Sequence, residues 1–408
     1  MPPPGESTPE IALEAGPAAV GSPPNRDLNF ANKNMQGVAT KRSHELQPRA
    51  RQIGAVSAGG EAFKFQLPDE LSAKEPPERR GIGRDQVRLM AIDRSTHNVV
   101  HSQFDQLANF LRAGDLLVFN SSRTLPAALA GRVEQISQTI EVRLAERLPD
   151  NSWLALLLQK SEAPVVGEPD AGMNIDFGEG LNCRLLERDQ RIPRLWKLSF
   201  SESGARLLDL IYRVGQPIRY NYLSAPWQLD YYQNVYATEP GSAEMPSAGR
   251  PFTWRLLFAL RRAGVDAAYL TLHTGLSSYM DERLDRLRLA SEEEYSIPEE
   301  TALKIRSARS RGGRIVAVGT TVVRALESIA IVRRGELQAY HGYTNLRVTA
   351  AHKLRVVYGL LTGLHEPQAS HLDLLCAFLP ADVVRTAYQE AISRNYLWHE
   401  FGDLNLIL

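Results

Sequence analysis

Cysteine is almost missing from this 408-residue sequence, with Cys183 and Cys376 the only two. They lie far apart and have no histidine at metal-ligand spacing, which excludes a disulfide scaffold and a cysteine-based zinc site. Long apolar runs are missing too. None approaches the ~20 residues that span a bilayer, and the N-terminus has no basic stretch leading into a hydrophobic one. A cytoplasmic protein without a membrane attachment is expected. Net charge is absent: 47 Lys and Arg balance 47 Asp and Glu, so no global basic field announces a nucleic acid. What is plentiful is apolar sequence, 43% of the chain, enough at this length for a large core and for two or more domains.

The charge is unevenly spread. Residues 301–360 hold eleven Lys or Arg against only Glu327 and Glu336. A surface facing phosphates has this composition, and so do solvated helix faces. Residues 1–62 differ again, with eight Pro, seven Gly and a single aromatic, Phe30. They lack periodicity and read as a disordered extension. Beyond them, residues 63–68 alternate like a strand.

The chain is organised around residues 312–330, GGRIVAVGTTVVRALESIA. Two glycines stop the preceding helix, and residues 315–318 form an apolar, β-branched run of strand type. Gly319-Thr320-Thr321 follows, and Val323, Leu326 and Ile329 or Ala330 then share a helical face. A strand, a tight turn and a helix aim backbone N–H groups and two hydroxyls at one point, which favours a carboxylate or phosphate. Arg324, one turn in, offers a planar partner for the same anion. An ordinary βα junction capped by threonine has the same pattern.

The spacing elsewhere predicts strands at 88–93, 116–119, 267–272 and 401–408, and sets off segments at 340–348 and 356–361. It predicts helices at 104–111, 252–263, 298–311, 371–379 and 381–395. Residues 131–200 change texture: short alternating runs at 140–144, 153–158, 181–186 and 195–200 are separated by Gly, Pro, Asp and Asn. Strands at this spacing suggest a small β-barrel or sandwich inserted into an α/β fold. Polar clusters close two of the α/β strands, Asn120-Ser121-Ser122-Arg123 and His273-Thr274-Gly275. Such strand ends line ligand crevices in open α/β sheets.

Seven segments then resemble one family, in its order: LPDEL at 67–71, GDLLVFN at 114–120, VYATEPGS at 235–242, TLHTGL at 271–276, VGTTVVRALES at 318–328, GLLTGLHEP at 359–367 and FGDLNLIL at 401–408. They are similar to those of the S-adenosylmethionine:tRNA ribosyltransferase-isomerases of queuosine biosynthesis. The resemblance implies an α/β catalytic domain (63–130 and 219–408) interrupted by a β-barrel domain (131–218). It implies transfer and isomerisation of the ribosyl group of S-adenosylmethionine onto 7-aminomethyl-7-deazaguanine in tRNA, with adenine and methionine released. No metal and no bound cofactor are implied. S-adenosylmethionine is a substrate, tRNA a partner, and a monomer is expected.

That chemistry requires a base beside the sulfonium, in a dry site. Glu239, His273 and Glu293 are the candidates. For Glu239 the alternative is a carboxylate capping a turn, for His273 a hydrogen-bonded structural histidine, and for Glu293, inside an acidic triplet, a solvated face. Thr320, Thr321 and Arg324 offer an anion site for the methionine carboxylate. Tyr236 and Tyr343 offer stacking for adenine, or plain packing. Asn120 and Arg123 suit ribose hydroxyls or a phosphate, or brace a loop. Gly249 allows close backbone approach, and His365 enters the substrate-binding set with the GLLTGLHEP segment.

Three positions depart from the family pattern. SAGRPF places Arg250-Pro251 where the family has Leu-His. RLASEE at 288–293 has Ala290 and Ser291 where the family has Met and His. Asn345 replaces an Asp. These losses remove acid–base capacity, since arginine stays charged. They leave a second possibility, an enzyme that consumes S-adenosylmethionine but serves a small molecule, and a third, a non-catalytic RNA-binding module.

Overall fold

In the computed structural model of the protein, residues 63, 65–136, 138–159, 169–287, 292–367 and 369–408 are described. All belong to one compact unit, Val56–Leu408. The extension expected over residues 1–62 lies outside the described residues.

The chain opens with the hairpin β1 (Arg88–Ile92) and β2 (Val99–Gln103), then β3 (Leu116–Asn120) and the short β4 (Ser122–Thr124). The next strands are β5 (Ala128–Val133), β6 (Gln138–Arg147), β7 (Trp153–Gln159), β8 (Asn174–Asp176), β9 (Asn182–Arg188) and β10 (Leu195–Phe200). Helix α1 (Gly204–Val214) and β11 (Gly215–Gln216) lead back to the first part of the fold at β12 (Glu239–Ser242), α2 (Trp254–Arg262) and β13 (Asp266–Leu272). There follow α3 (Glu282–Leu287), β14 (Glu293–Ile297), α4 (Glu299–Ser310), β15 (Ile315–Val318), α5 (Thr320–Val332) and β16 (Tyr340–Thr344). The last elements are β17 (Gly359–Gly363), α6 (Ser370–Leu375), α7 (Ala381–Ser393) and β18 (Leu404–Ile407).

Nine strands form one mixed sheet in the order β16-β14-β13-β3-β15-β17-β18-β1-β2, with β13, β3, β15 and β17 running parallel to one another. β3 and β15 are buried at every residue, as expected of parallel strands covered on both faces. One face carries the larger core, with Leu116, Val118, Leu270 and Ile315 under α4 and α5. The other packs Leu117, Phe119 and Val316 against Tyr236, Phe252 and α2. Helix α5 is buried on more sides than its single expected stripe, since Val322 and Ala325 are buried along with Val323, Leu326, Ile329 and Ala330.

β5, β6, β7, β10, β9 and β8 pair in that order, and β8 pairs back onto β5, closing a six-stranded barrel. Alternation fills it: Ile140, Val142 and Leu144 of β6 point inward with Trp153, Ala155 and Leu198. The architecture is therefore an α/β domain carrying an inserted β-barrel. The two passages between them lie together, because β4 and β12 form a two-stranded parallel pair.

Two sequence expectations fail locally. Residues 65–68 are not a strand. Phe65 and Leu67 pack on the core while Gln66 is exposed, so burial alternates, but no neighbouring strand pairs with them. Residues 104–110 form a 3-10 helix, with Phe104 and Leu107 buried at the i, i+3 spacing that such a helix eclipses.

Candidate active site

β3, β13 and β15 lie side by side and parallel, so their carboxyl ends bring Asn120, His273 and Gly319-Thr320 to one edge of the sheet. Asn120 locks this edge. Its Nδ2 donates to Leu272 O (2.8 Å) and Thr321 Oγ1 (3.3 Å), and its Oδ1 accepts from the N–H groups of Leu272 (3.0 Å) and Ser122 (3.1 Å). Two donors and two acceptor sites are all engaged, so Asn120 braces the loop.

His273 stands at the centre. Its Nδ1 is 2.8 Å from Ser122 Oγ, which is 2.6 Å from Ser242 Oγ, and Ser242 Oγ accepts the Thr274 N–H at 3.0 Å. Gly241 lies flat against the imidazole, where a Cβ would stand 2.4 Å from ring atoms. Burial lowers the pKa of His273, opposed by the charges of Glu294 and Glu239, so the ring is neutral at pH 7. The hydroxyl relay is consistent with either tautomer. With Nδ1–H donating to Ser122 and Ser122 to Ser242, Nε2 is left with a free lone pair. Glu239 is exposed at the start of β12, its N–H donating to Ser121 O at 3.2 Å.

Glu293 is not on a solvated face. It is 7% exposed, receives the Gly275 N–H at 3.4 Å and is ion-paired with Arg324. Arg324 also donates from Nε to Leu346 O at 3.0 Å, so its guanidinium ties β14 and the turn after β16 to α5. At the start of α5, Gly319 takes φ +100°, a conformation that suits glycine, and its N–H donates to Leu361 O at 2.8 Å. Thr320 is buried and Thr321 half-buried. Tyr343 is half-buried opposite Glu294, and burial followed by the Glu294 charge raises the pKa of its phenol.

The remaining candidates pack. Tyr236 lies edge-on to Phe119 at 4.8 Å. A Cβ on Gly249 would stand 1.8 Å from the Tyr236 hydroxyl, so the glycine makes room for the tyrosine. Arg123 is half-exposed and reaches Ala237 O at 3.5 Å. His365, at the carboxyl end of β17, stacks on His371 at 4.5 Å, bonds Thr362 Oγ1 at 3.0 Å and accepts the Trp398 indole N–H at its carbonyl (3.1 Å).

A cavity of about 110 Å³ opens between the two domains, lined by Glu146, Arg147 and Trp153 of the barrel and by Gly241, His273 and Glu294 of the α/β domain. A larger, open depression of about 550 Å³ along Arg306, Arg309 and residues 335–338 holds none of these groups. Among the described residues, no group of three His, Cys, Asp or Glu is placed to hold a metal ion.

The sequence model of a family described as "Queuosine biosynthesis protein" matches residues 60–407. This chain belongs to that family. Similar to it are the S-adenosylmethionine:tRNA ribosyltransferase-isomerases of Thermotoga maritima (36% identical over 348 residues) and Syntrophotalea carbinolica (35% over 350), each match covering 85% of this chain and 98% of the relative. A crystal structure of a Thermotoga maritima S-adenosylmethionine tRNA ribosyltransferase is 32% identical, with 85% of this chain and all of that one covered and a TM-score of 0.49.

Two of the departures from the family's sequence are visible in this member's structure. Arg250 is 1% exposed, paired with Glu78 at 2.8 Å and donating to Tyr231 O at 2.7 Å, with Phe401 under its guanidinium at 4.9 Å. It anchors flanking segments and takes no part in the strand-end cluster. Asn345 is exposed. Ala290 and Ser291 lie outside the described residues. Sequence reasoning passed over Ser122, Ser242 and Gly241, which stood inside segments already marked, and Glu146, which carried no signal at all.

Proposed function

We propose that this chain transfers and isomerises the ribosyl group of S-adenosylmethionine onto 7-aminomethyl-7-deazaguanine in tRNA, releasing adenine and methionine. The observation that carries this reading is the match to S-adenosylmethionine:tRNA ribosyltransferase-isomerases at 34–36% identity over nearly their whole length. S-adenosylmethionine is the substrate in this reading, and no resident metal is invoked.

His273 is the proton acceptor. It is neutral because it is buried, it is oriented by Ser122, and it lines the interdomain cavity. Removing a proton from the carbon beside the sulfonium requires such a group in its free-base form. Glu239 stands at the rim as a second acid–base group, and Glu293 holds Arg324 in place. The start of α5, with Thr320 and Thr321, receives the methionine carboxylate, and Tyr343 lies beside the adenine. Arg123 faces the tRNA side.

The test is to incubate the protein with S-adenosylmethionine, with and without tRNA bearing the deazaguanine precursor, and to follow adenine and methionine. Release only with tRNA is expected. Release without tRNA, or no release in either case, would overturn the proposal.

A further inference from the structure

Glu146 is the one member of the cavity whose position has no structural explanation so far. It is 6% exposed, yet neither carboxyl oxygen has a hydrogen-bond partner. Buried polar groups left in this state are rare and costly. The strand itself places it there. Leu144 of β6 is opposite Ala155 and Glu146 is opposite Leu154, so Ala145 is an extra residue, a β-bulge. Strict alternation would send Glu146 into the barrel with Val142 and Leu144. The bulge turns it instead to the outer face, where Ala145, Leu154 and Ile192 meet Tyr279 of the α/β domain. Bulges commonly re-aim a side chain beside an active site.

The charges around it do not satisfy it. Among the described residues, the cation paired with it is Arg191, 3.7 Å away and 44% exposed, and Arg191 is shared with Asp189 (3.8 Å) and Glu292 (3.9 Å). Glu293 faces it from β14, already paired with Arg324. One half-exposed arginine shared among three carboxylates leaves Glu146 without a counter-ion of its own. Burial, with Arg191 opposing and Glu293, Asp189 and Glu292 adding to it, pushes the Glu146 carboxyl up to about 8.

We propose that Glu146 is the seat of the substrate's sulfonium, its carboxylate facing the positively charged sulfur across the cavity it shares with His273. This rests on the function proposed above. A sulfonium has no N–H to donate, so its partner needs charge without directional hydrogen bonds, which two unbonded oxygens supply. An ammonium would demand acceptors arranged around it. The cavity holds the sulfur and the carbons flanking it, and the nucleoside extends along the strand ends. One void then contains both the cation that acidifies the neighbouring C–H and the imidazole that accepts the proton.

The experiment measures calorimetric binding of S-adenosylmethionine and of its neutral thioether, S-adenosylhomocysteine, to the full chain and to Glu146→Gln. The wild-type protein is expected to favour the sulfonium. Glu146→Gln is expected to reduce that preference roughly tenfold, the loss of one desolvated charge pair, while binding the thioether as before. Glu146→Asp keeps the charge and should retain part of the preference. Arg191→Met, which removes the competing cation, should retain all of it. An unchanged preference in Glu146→Gln, equal loss of both ligands, or an equal loss of preference in Arg191→Met would overturn the seat. Failure of the wild-type protein to bind either nucleoside would instead overturn the function on which it rests. Thermal melting of each variant separates loss of binding from loss of fold.

Discussion

Gly241 is in contact with the imidazole of His273, and its role is steric. A methyl group there would fall 2.4 Å from ring atoms, and the ring would move away from Ser122. Misplacing a reacting group by about 1 Å costs on the order of 100-fold. Gly241→Ala is therefore expected to lower kcat for adenine release by about that factor with little change in Tm, measured by single-turnover assay and melting. His273 was legible in the sequence because a histidine closing a buried strand is conspicuous. Its partners were not: Ser122 and Ser242 are 120 residues apart, and only the pairing of β4 with β12 joins them. For Glu293 the alternative of a solvated face, suggested by its run of three acids, does not hold. The run lies on a strand, where burial alternates, so Glu293 and Tyr295 point in while Glu294 stays half-buried.

At the scale of elements, the strands that present the site are tied down at their other ends. Asp115, 0% exposed, precedes β3 and accepts from the Arg314 backbone (3.1 Å) and its Nε (3.0 Å), just before β15, and from the Arg112 N–H (2.9 Å). Removing one member of a buried pair leaves the other uncompensated. Asp115→Ala is expected to cost about 3 kcal/mol of stability in urea unfolding while leaving turnover per folded molecule unchanged, because the pair sits at the strand ends remote from His273. The strand-turn-helix at 312–330 could be read directly, since its apolar run, its glycine and its helical spacing agree. The barrel was legible as a texture, although β5, β8 and α1 were not resolved from it. β8 has three residues, too few for a period to emerge. The basic segment 301–360 divides: Arg314 and Arg324 are drawn into the fold by Asp115 and Glu293, while Arg309, Arg311, Arg333, Arg334 and Lys353 stay exposed. Composition alone did not reveal that.

For the whole molecule, two sets of buried groups set the pH response. Burial raises Glu244 and Glu400 to about 7 and Glu146 to about 8, against 4.5 when unfolded. A carboxyl raised in this way favours the folded state fully below pH 4.5, and the advantage is lost as pH climbs through its folded value. Burial also lowers His273, His365 and His399, the last to about 4, against 6.5 when unfolded. Their contribution is present above pH 6.5 and lost as pH falls. The two sets oppose each other between about 4.5 and 6.5, and only the carboxyls act above that. Stability is expected to be nearly level from pH 5 to 6.5 and to decline from 6.5 to 8 in a buffer series of denaturation midpoints. A rise over that upper interval would contradict the carboxyl assignment.

The barrel leaves and rejoins the larger domain through β4 and β12, two strands lying side by side like paired straps, with Ser122 on one, Ser242 on the other and His273 bonded to Ser122. Because Ser122 and Ser242 sit on those straps, a shift of one strap against the other would alter the hydroxyl pair that orients the His273 ring.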